Sequence, residues 1–331
     1  MPARLTTLLI FPALATALAA EEPPVTGRES DLPPLPRPVT SFGATRLDDA
    51  VYVYGGHTGD AHSYSKEEQS HELWSLDLSE DGPEWKTVAE GPHLQGNALV
   101  AAGGKVVLLG GFTAENAADE EQNLVSQTAV RAFDPATGEW SDLPPLPEPR
   151  SSFDAAVIGD TVYAVGGWSL QGEADADWHD TAWALNVSEP TPEWRPLADP
   201  PFKRRALATV AHGGKLYVLG GMQDEGGPTT AVSVYDPASD AWSDGPSLIG
   251  SPMNGFGVAG FSAGGRLYAT AYDGSVQRLS ADGFVWEPAG EMLKKRFFHR
   301  LIPTGRGVLV LGGGDMELGK YPDVDVLAVA D

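Results

Sequence analysis

The sequence predicts an all-β protein in which six four-stranded units close into a ring, and three observations predict it. The first is a strand-like apolar run ending in a double glycine. It recurs at Val51–Gly56, Val106–Gly111, Val162–Gly167, Leu216–Gly221 and Val308–Gly313, with Leu267–Tyr272 holding a sixth place without the glycines. The second is a tryptophan following the next strand in five units: Trp85, Trp140, Trp194, Trp242 and Trp286. The third is a heptapeptide, Ser30-Asp31-Leu32-Pro33-Pro34-Leu35-Pro36, repeated residue for residue at Ser141–Pro147. The second copy follows Glu139-Trp140 and ends a unit, whereas the first stands ahead of any unit. That displacement makes the N-terminal segment, Arg28–Leu35, the last strand of the last unit, with Glu29 in the place of Trp140.

Each unit follows one plan. A first strand leads to the glycine-terminated strand, then come a polar loop, a third strand and the strand carrying tryptophan. The third strands are expected at Leu73–Leu78, Val130–Asp134, Ala182–Val187, Val232–Asp236, Val276–Leu279 and Val324–Val329. They are rich in β-branched and aromatic residues that suit a pleated, half-buried surface. Asp134-Pro135-Ala136-Thr137-Gly138 and Asp236-Pro237-Ala238-Ser239-Asp240 read as tight hairpin turns before the fourth strand. Four short strands in about 40–55 residues make one blade of a β-propeller. A lone blade cannot bury both faces, so the blades must pack on one another around an axis. An N-terminal strand donated to the last blade pairs its edge and locks the ring without covalent bonds.

The order of two glycines, a strand with an aromatic residue and a tryptophan resembles the Kelch repeat, over about residues 28–331. The resemblance implies a six-bladed Kelch-type β-propeller with the N-terminal strand closing the last blade. It also implies ligand binding on the face that gathers the inter-blade connections and the loops after each glycine pair. Ala271-Tyr272 departs from the pattern and leaves the turn of the fifth unit open.

Composition narrows the function classes. The chain has 331 residues, 46 acidic against 22 basic, and a net charge of -24. Such a surface repels phosphate backbones and anionic lipid, so nucleic acid and membrane surfaces are not expected partners. There is no cysteine, which excludes disulfides, thiolate metal sites and cysteine nucleophiles. Residues 1–20 read as a signal peptide: Arg4 precedes an apolar run, Leu5–Leu18, and Ala17-Leu18-Ala19 fits a cleavage site near Ala19 or Ala20. The expected product is a short linker, 21–27, followed by a propeller over 28–331, monomeric, without membrane insertion, and periplasmic or secreted.

Candidate site residues come from the loops of the expected binding face. The loops after the glycine pairs are long and polar in the first three units: His57–Glu72 with His62, Tyr64, Lys66 and His71; Phe112–Gln127; and Trp168–Thr181 with Asp175, Asp177, Trp178, His179 and Asp180. Long loops on a rigid ring are where function concentrates. Sixteen residues before each glycine pair or its stand-in lie Val39, Leu94, Arg150, Arg204, Gly255 and Arg296, with Lys203, Arg205, Lys294, Lys295 and Arg300 around them. Fork-shaped donors at the mouth of a channel suit a carboxylate or an acidic sugar. The ligand-binding candidates are therefore Arg150, Arg204, Arg205, Arg296, His299, Tyr64, Trp168 and Trp178. The competing reading pairs these arginines with neighbouring acidic loops as structure alone. Neither a metal nor a cofactor is expected, and no catalytic motif stands out.

Galactose-oxidase chemistry, on a related architecture, needs a cysteine cross-linked to tyrosine and is excluded. The exported sialic acid mutarotases are similar in size, export and architecture. That resemblance implies a general acid and base beside a carboxylate clamp, for which Glu115 or His299 with Arg204 are the candidates. The favoured expectation is a non-catalytic propeller that binds a protein or glycan through its loop-bearing face, with the mutarotase as the alternative.

Overall fold

The computed structural model describes residues 23–329; the predicted signal peptide, 1–20, lies outside these residues, as does Asp331. The strands fall into six antiparallel groups of four. Unit 1 comprises Gly43–Leu47, Ala50–Tyr54, Glu72–Asp77 and Lys86–Glu90. Unit 2 comprises Ala98–Ala102, Lys105–Leu109, Val130–Asp134 and Glu139–Leu143. Unit 3 comprises Asp154–Ile158, Thr161–Val165, Ala182–Asn186 and Arg195–Pro196. Unit 4 comprises Ala208–His212, Lys215–Leu219, Val232–Asp236 and Ala241–Gly245. Unit 5 comprises Ala259–Ala263, Arg266–Thr270, Ser275–Leu279 and Trp286–Glu291. Unit 6 comprises Arg300–Thr304, Gly307–Leu311, Val324–Ala328 and, from the other end of the chain, Val25–Glu29. The first strand of each unit packs beside the first strand of the next, and that of unit 6 packs beside that of unit 1, which closes the ring.

The apolar core is divided among the joints between units. Alternate residues of a strand point to opposite faces of its sheet, and here each face meets a different neighbour. Val51 and Val53 pack with Leu309, Leu311 and Val326 of unit 6, while Tyr52 and Tyr54 pack with Val106, Leu108 and Phe133 of unit 2. In the same way Val107 and Leu109 turn toward Phe153 and Val162 of unit 3. Strands buried on both faces read as continuous apolar runs, which is why Val106–Leu109 shows no polar alternation.

The closing strand differs from the expected one. It spans Val25–Glu29 rather than Arg28–Leu35, so it begins inside the segment expected to be linker. Gly27 faces Leu327, the place that Trp140 takes opposite Phe133 in unit 2; Glu29 instead faces Asp325. A tryptophan cannot stand at Gly27, because even a Cβ there would lie 2.1 Å from Leu293 N. The crowding comes from a parallel pairing in which Val25 and Thr26 meet Gly290 and Glu291 of unit 5.

The heptapeptide follows this strand and performs the same task in both copies. The indole N–H of Trp85 donates to Pro33 O at 3.1 Å, and that of Trp194 donates to Pro144 O at 2.8 Å. Leu35 N–H donates to Pro322 O as Leu146 N–H donates to Thr128 O. The repeat is therefore a seat for the tryptophan of the following unit.

Candidate ligand site

The glycine pairs join each unit to the next. The second glycine donates its N–H to the residue found sixteen positions before the next pair: Gly56 to Leu94 O, Gly111 to Arg150 O, Gly167 to Arg204 O, Gly221 to Gly255 O and Gly313 to Val39 O, all at 2.8–2.9 Å. The first glycine must let that carbonyl approach. At Gly166 φ is +70° and a Cβ would lie 2.7 Å from Arg204 O, so any other residue is both strained and crowded.

Two positions after each of the six equivalent residues, Val39, Leu94, Arg150, Arg204, Gly255 and Arg296, the chain adopts a left-handed conformation: Ser41, Gly96, Ser152, Ala206, Gly257 and Phe298, with φ between 51° and 63°. These six residues ring the axis and all line one cavity of about 250 Å³. Backbone hydrogen bonds run from unit to unit around this ring. Gly96 N–H donates to Ser41 O, Ser152 N–H to Gly96 O, Ala206 N–H to Ser152 O, and Phe298 N–H to Gly257 O, at 2.7–3.0 Å.

The structure separates the candidate arginines into two kinds. Arg150, Arg204 and Arg296 are buried, with 2% or less of their surface exposed. Each turns back into its own unit and caps the first-glycine carbonyl: Arg150 bonds Gly166 O, Arg204 bonds Gly220 O and Arg296 bonds Gly312 O. Their terminal amino groups also reach the third strand or its approach, at Thr181, at Ala231 and Ser233, and at Asp325 respectively, and Arg150 pairs with Glu148 besides. Burial lowers Arg150 and Arg204 to about 10, so both stay charged at neutral pH. These three hold the unit together and present no donor to a ligand at the mouth.

Arg205 is the other kind. It shares the two-residue strand Arg204–Arg205, and strand alternation sends its side chain the opposite way, to the axial cavity. Its guanidinium lies 4.0 Å from the Trp168 ring centroid and 5.3 Å from that of Trp178. The two indoles are adjacent because Trp168 and Trp178 pair across a short hairpin. Burial pushes the Arg205 pKa down, with the neighbouring Tyr64 opposing. Among the described residues Arg205 has no carboxylate and no hydrogen-bond acceptor. Tyr64, carried by the unit 1 loop, lines the same cavity, and burial raises its hydroxyl pKa.

His299 is buried in the cavity wall, with Nε2 2.8 Å from Thr270 Oγ1. Burial, together with Arg296 and Arg300, pushes its pKa to about 3, so the ring is neutral over the physiological range. Trp178 does not line the cavity and meets the site only through Arg205 and Trp168. Glu115 accepts a hydrogen bond from Asn123 within its own loop, and Arg204 faces away, so the clamp expected from those residues does not assemble.

Sequence reasoning placed Arg300 among the loop cations but missed its partner. Arg300 donates to Phe42 O at 2.9 Å and pairs with Asp154 at 2.9 Å, linking unit 6 to unit 3 across the ring. The second carboxylate oxygen of Asp154 accepts the Thr209 N–H of unit 4. The signal was the periodicity itself, since Arg300 and Asp154 both stand four residues after a buried arginine, Arg296 and Arg150. The polar loops also carry more structure than expected. They form small hairpins at 112–114 with 124–126, and at 168–169 with 177–178.

Units packed face to face around an axial cavity make the molecule a β-propeller. The Kelch motif matches residues 149–201 and 203–249, the third and fourth of its units. The chain is 28% identical over 239 residues to Kelch-like protein 35 of Mus musculus, covering 71% of this chain and 35% of that protein. It is 28% identical over 284 residues to Kelch-like protein terF of Aspergillus terreus, covering 81% and 58%. The chain thus spans about a third to under three-fifths of the length of these curated relatives. The solved structure of YjhT superposes with a TM-score of 0.73 at 17% identity, covering 91% of this chain and 98% of that one; it is alike in fold.

Proposed function

We propose that this propeller is an exported binding protein for a carboxylate-bearing glycan, whose acid group is held by Arg205 in the axial cavity. The observation that carries the reading is the unpaired guanidinium of Arg205, stacked on Trp168 beside Tyr64. An arginine already oriented by an aromatic face presents its fork of donors at little further entropic cost. A cavity of about 250 Å³ lies just under the range of roughly 300–1,000 Å³ for drug-sized ligands and suits a single ring. Ser41, Ser152 and Gln95 on the wall supply hydroxyl and amide partners for sugar oxygens. The apolar N-terminal segment supports export.

Calorimetric titration of the protein, started at Glu21, with N-acetylneuraminate, glucuronate and glucose tests the proposal. Binding of either acid, with neither glucose binding nor binding by Arg205→Ala, is the expected result. Failure of both acids rejects the reading and turns the search to a macromolecular partner on the same loop face.

A mutarotase is the second reading, favoured by His299, a neutral imidazole in the cavity wall. NMR of freshly dissolved α- or β-N-acetylneuraminate reads it directly. An anomerisation rate unchanged by the protein rejects catalysis and leaves binding untouched.

A further inference from the structure

We infer that the ligand of the axial cavity is an acidic glycoside carrying an apolar aglycone, which leaves the cavity between units 6 and 1 and lies in a lateral groove. The inference rests on the proposed binding of the acid by Arg205 and extends it outward from the axis.

The exit is a gap in the left-handed ring. Four of its six neighbouring pairs are tied by backbone hydrogen bonds; the two untied among the described residues are Ala206 with Gly257 at the joint of units 4 and 5 and, at the joint of units 6 and 1, Ser41 with Phe298. Ser41 and Phe298 line the axial cavity and also a second cavity of about 680 Å³, as do Tyr64 and Gln95. The two spaces therefore adjoin at this joint.

The ring residue at the gap is itself unusual. Where other units place Gly, Ser or Ala, unit 6 holds Phe298 at φ 53°, a strained conformation for a bulky residue. Its ring packs at 5.0–5.1 Å from Phe256 and Phe297, and these three phenylalanines make one wall of the groove. Across from them stand His57, Thr58 and the rest of the unit 1 loop. Lys320 donates to Gly59 O and joins the two loops over the groove. Met316 and Leu318 project from the unit 6 hairpin, 64% and 77% exposed, along the groove rim.

A cation at the axial end and aromatic and aliphatic side chains at the outer end describe one ligand with two chemistries. A free sugar acid fills only the first part. An aryl or acyl group on its glycosidic oxygen reaches the second, and covering Phe297, Met316 and Leu318 removes apolar surface from water. Neutral glycosides gain the groove but lose the arginine.

The probes are glucuronate and N-acetylneuraminate, their 4-methylumbelliferyl glycosides, and the neutral 4-methylumbelliferyl glucoside, titrated by calorimetry or fluorescence. The expected result is an aryl glycoside bound at least about tenfold more tightly than its parent acid, as burial of a few carbons supplies. Met316→Ser with Leu318→Ser, at exposed positions that leave folding intact, should narrow that preference and leave parent-acid affinity unchanged. Equal affinity of acid and aryl glycoside overturns the inference while the axial reading stands. The same follows if the preference survives in the double variant, or if the neutral glucoside binds as tightly as the acidic ones. Failure of every probe overturns both.

Discussion

Arg204 and Arg205 are consecutive, identical in chemistry and opposite in role. Arg204 turns into unit 4, where it bonds two carbonyls and the Ser233 hydroxyl and lies 3.9 Å from the Phe202 ring centroid. Arg205 turns to the axis and keeps its charge unpaired between two tryptophans. The difference teaches that residue type and repeat position mark a place in the unit, while the direction of one strand decides whether a charge stabilises the ring or meets a ligand. Arg300 is intermediate: it faces the same cavity as Arg205 but is paired with Asp154.

This comparison can be broken by experiment. The largest effect is expected at Arg296, whose partner Asp325 is 3% exposed. Arg296→Ala leaves a buried carboxylate alone and should cost about 3–5 kcal/mol in urea unfolding. Arg204→Ala, which strands only neutral acceptors, should cost less and leave acid binding in the surviving folded protein intact. If Arg204→Ala removes binding at unchanged stability, the division between the two arginines is wrong. Arg205→Ala should show the reverse pattern. Losing a charge-assisted hydrogen bond corresponds to about 1.5–3 kcal/mol of affinity, with a melting temperature close to that of the parent.

Gly166→Ala sharpens the same comparison from the backbone side. It forces a left-handed alanine against Arg204 O, and a loss of about 1–3 kcal/mol by thermal unfolding is expected. Trp194→Phe removes the indole N–H that meets Pro144 O and should cost about 1 kcal/mol, more if the smaller ring leaves a void.

The smallest effect at neutral pH is that of His299, which is uncharged there in both states. Its folded pKa of about 3 lies below the ordinary 6.5, so the unfolded chain binds the extra proton first. Its contribution is fully present above about pH 6.5 and is lost as pH falls toward 3. His299→Gln should flatten that part of the stability profile, measured as the urea midpoint against pH; an unchanged slope would show that His299 is not held neutral.

The parts of the fold visible in the sequence were those set by short-range pattern. The third strands Val130–Asp134 and Val232–Asp236 stand where the apolar runs put them, and Asp134 and Asp236 make the expected turns through Gly138 N–H and Ser239 N–H. For the site, Tyr64, Trp168, Arg205 and His299 do converge on one cavity, whereas Arg150, Arg204 and Arg296 do not. Counting back from the glycine pairs found equivalent residues correctly, yet their shared role is to cap a carbonyl inside the unit.

By itself, then, the sequence determined the repeat, the glycine and tryptophan phases and the return of the N-terminus to the last unit. Each of these depends on residues within one repeat or on one motif appearing twice. Only the tertiary structure decided that the closing strand is Val25–Glu29, that the heptapeptide seats the tryptophan of the next unit, and that Arg300 meets Asp154 across the axis. These rest on contacts between residues far apart in the chain, and ring closure sets their distances. The sign and facing of a side chain at such a contact follow from strand register, in which a shift of one residue sends a side chain to the other face.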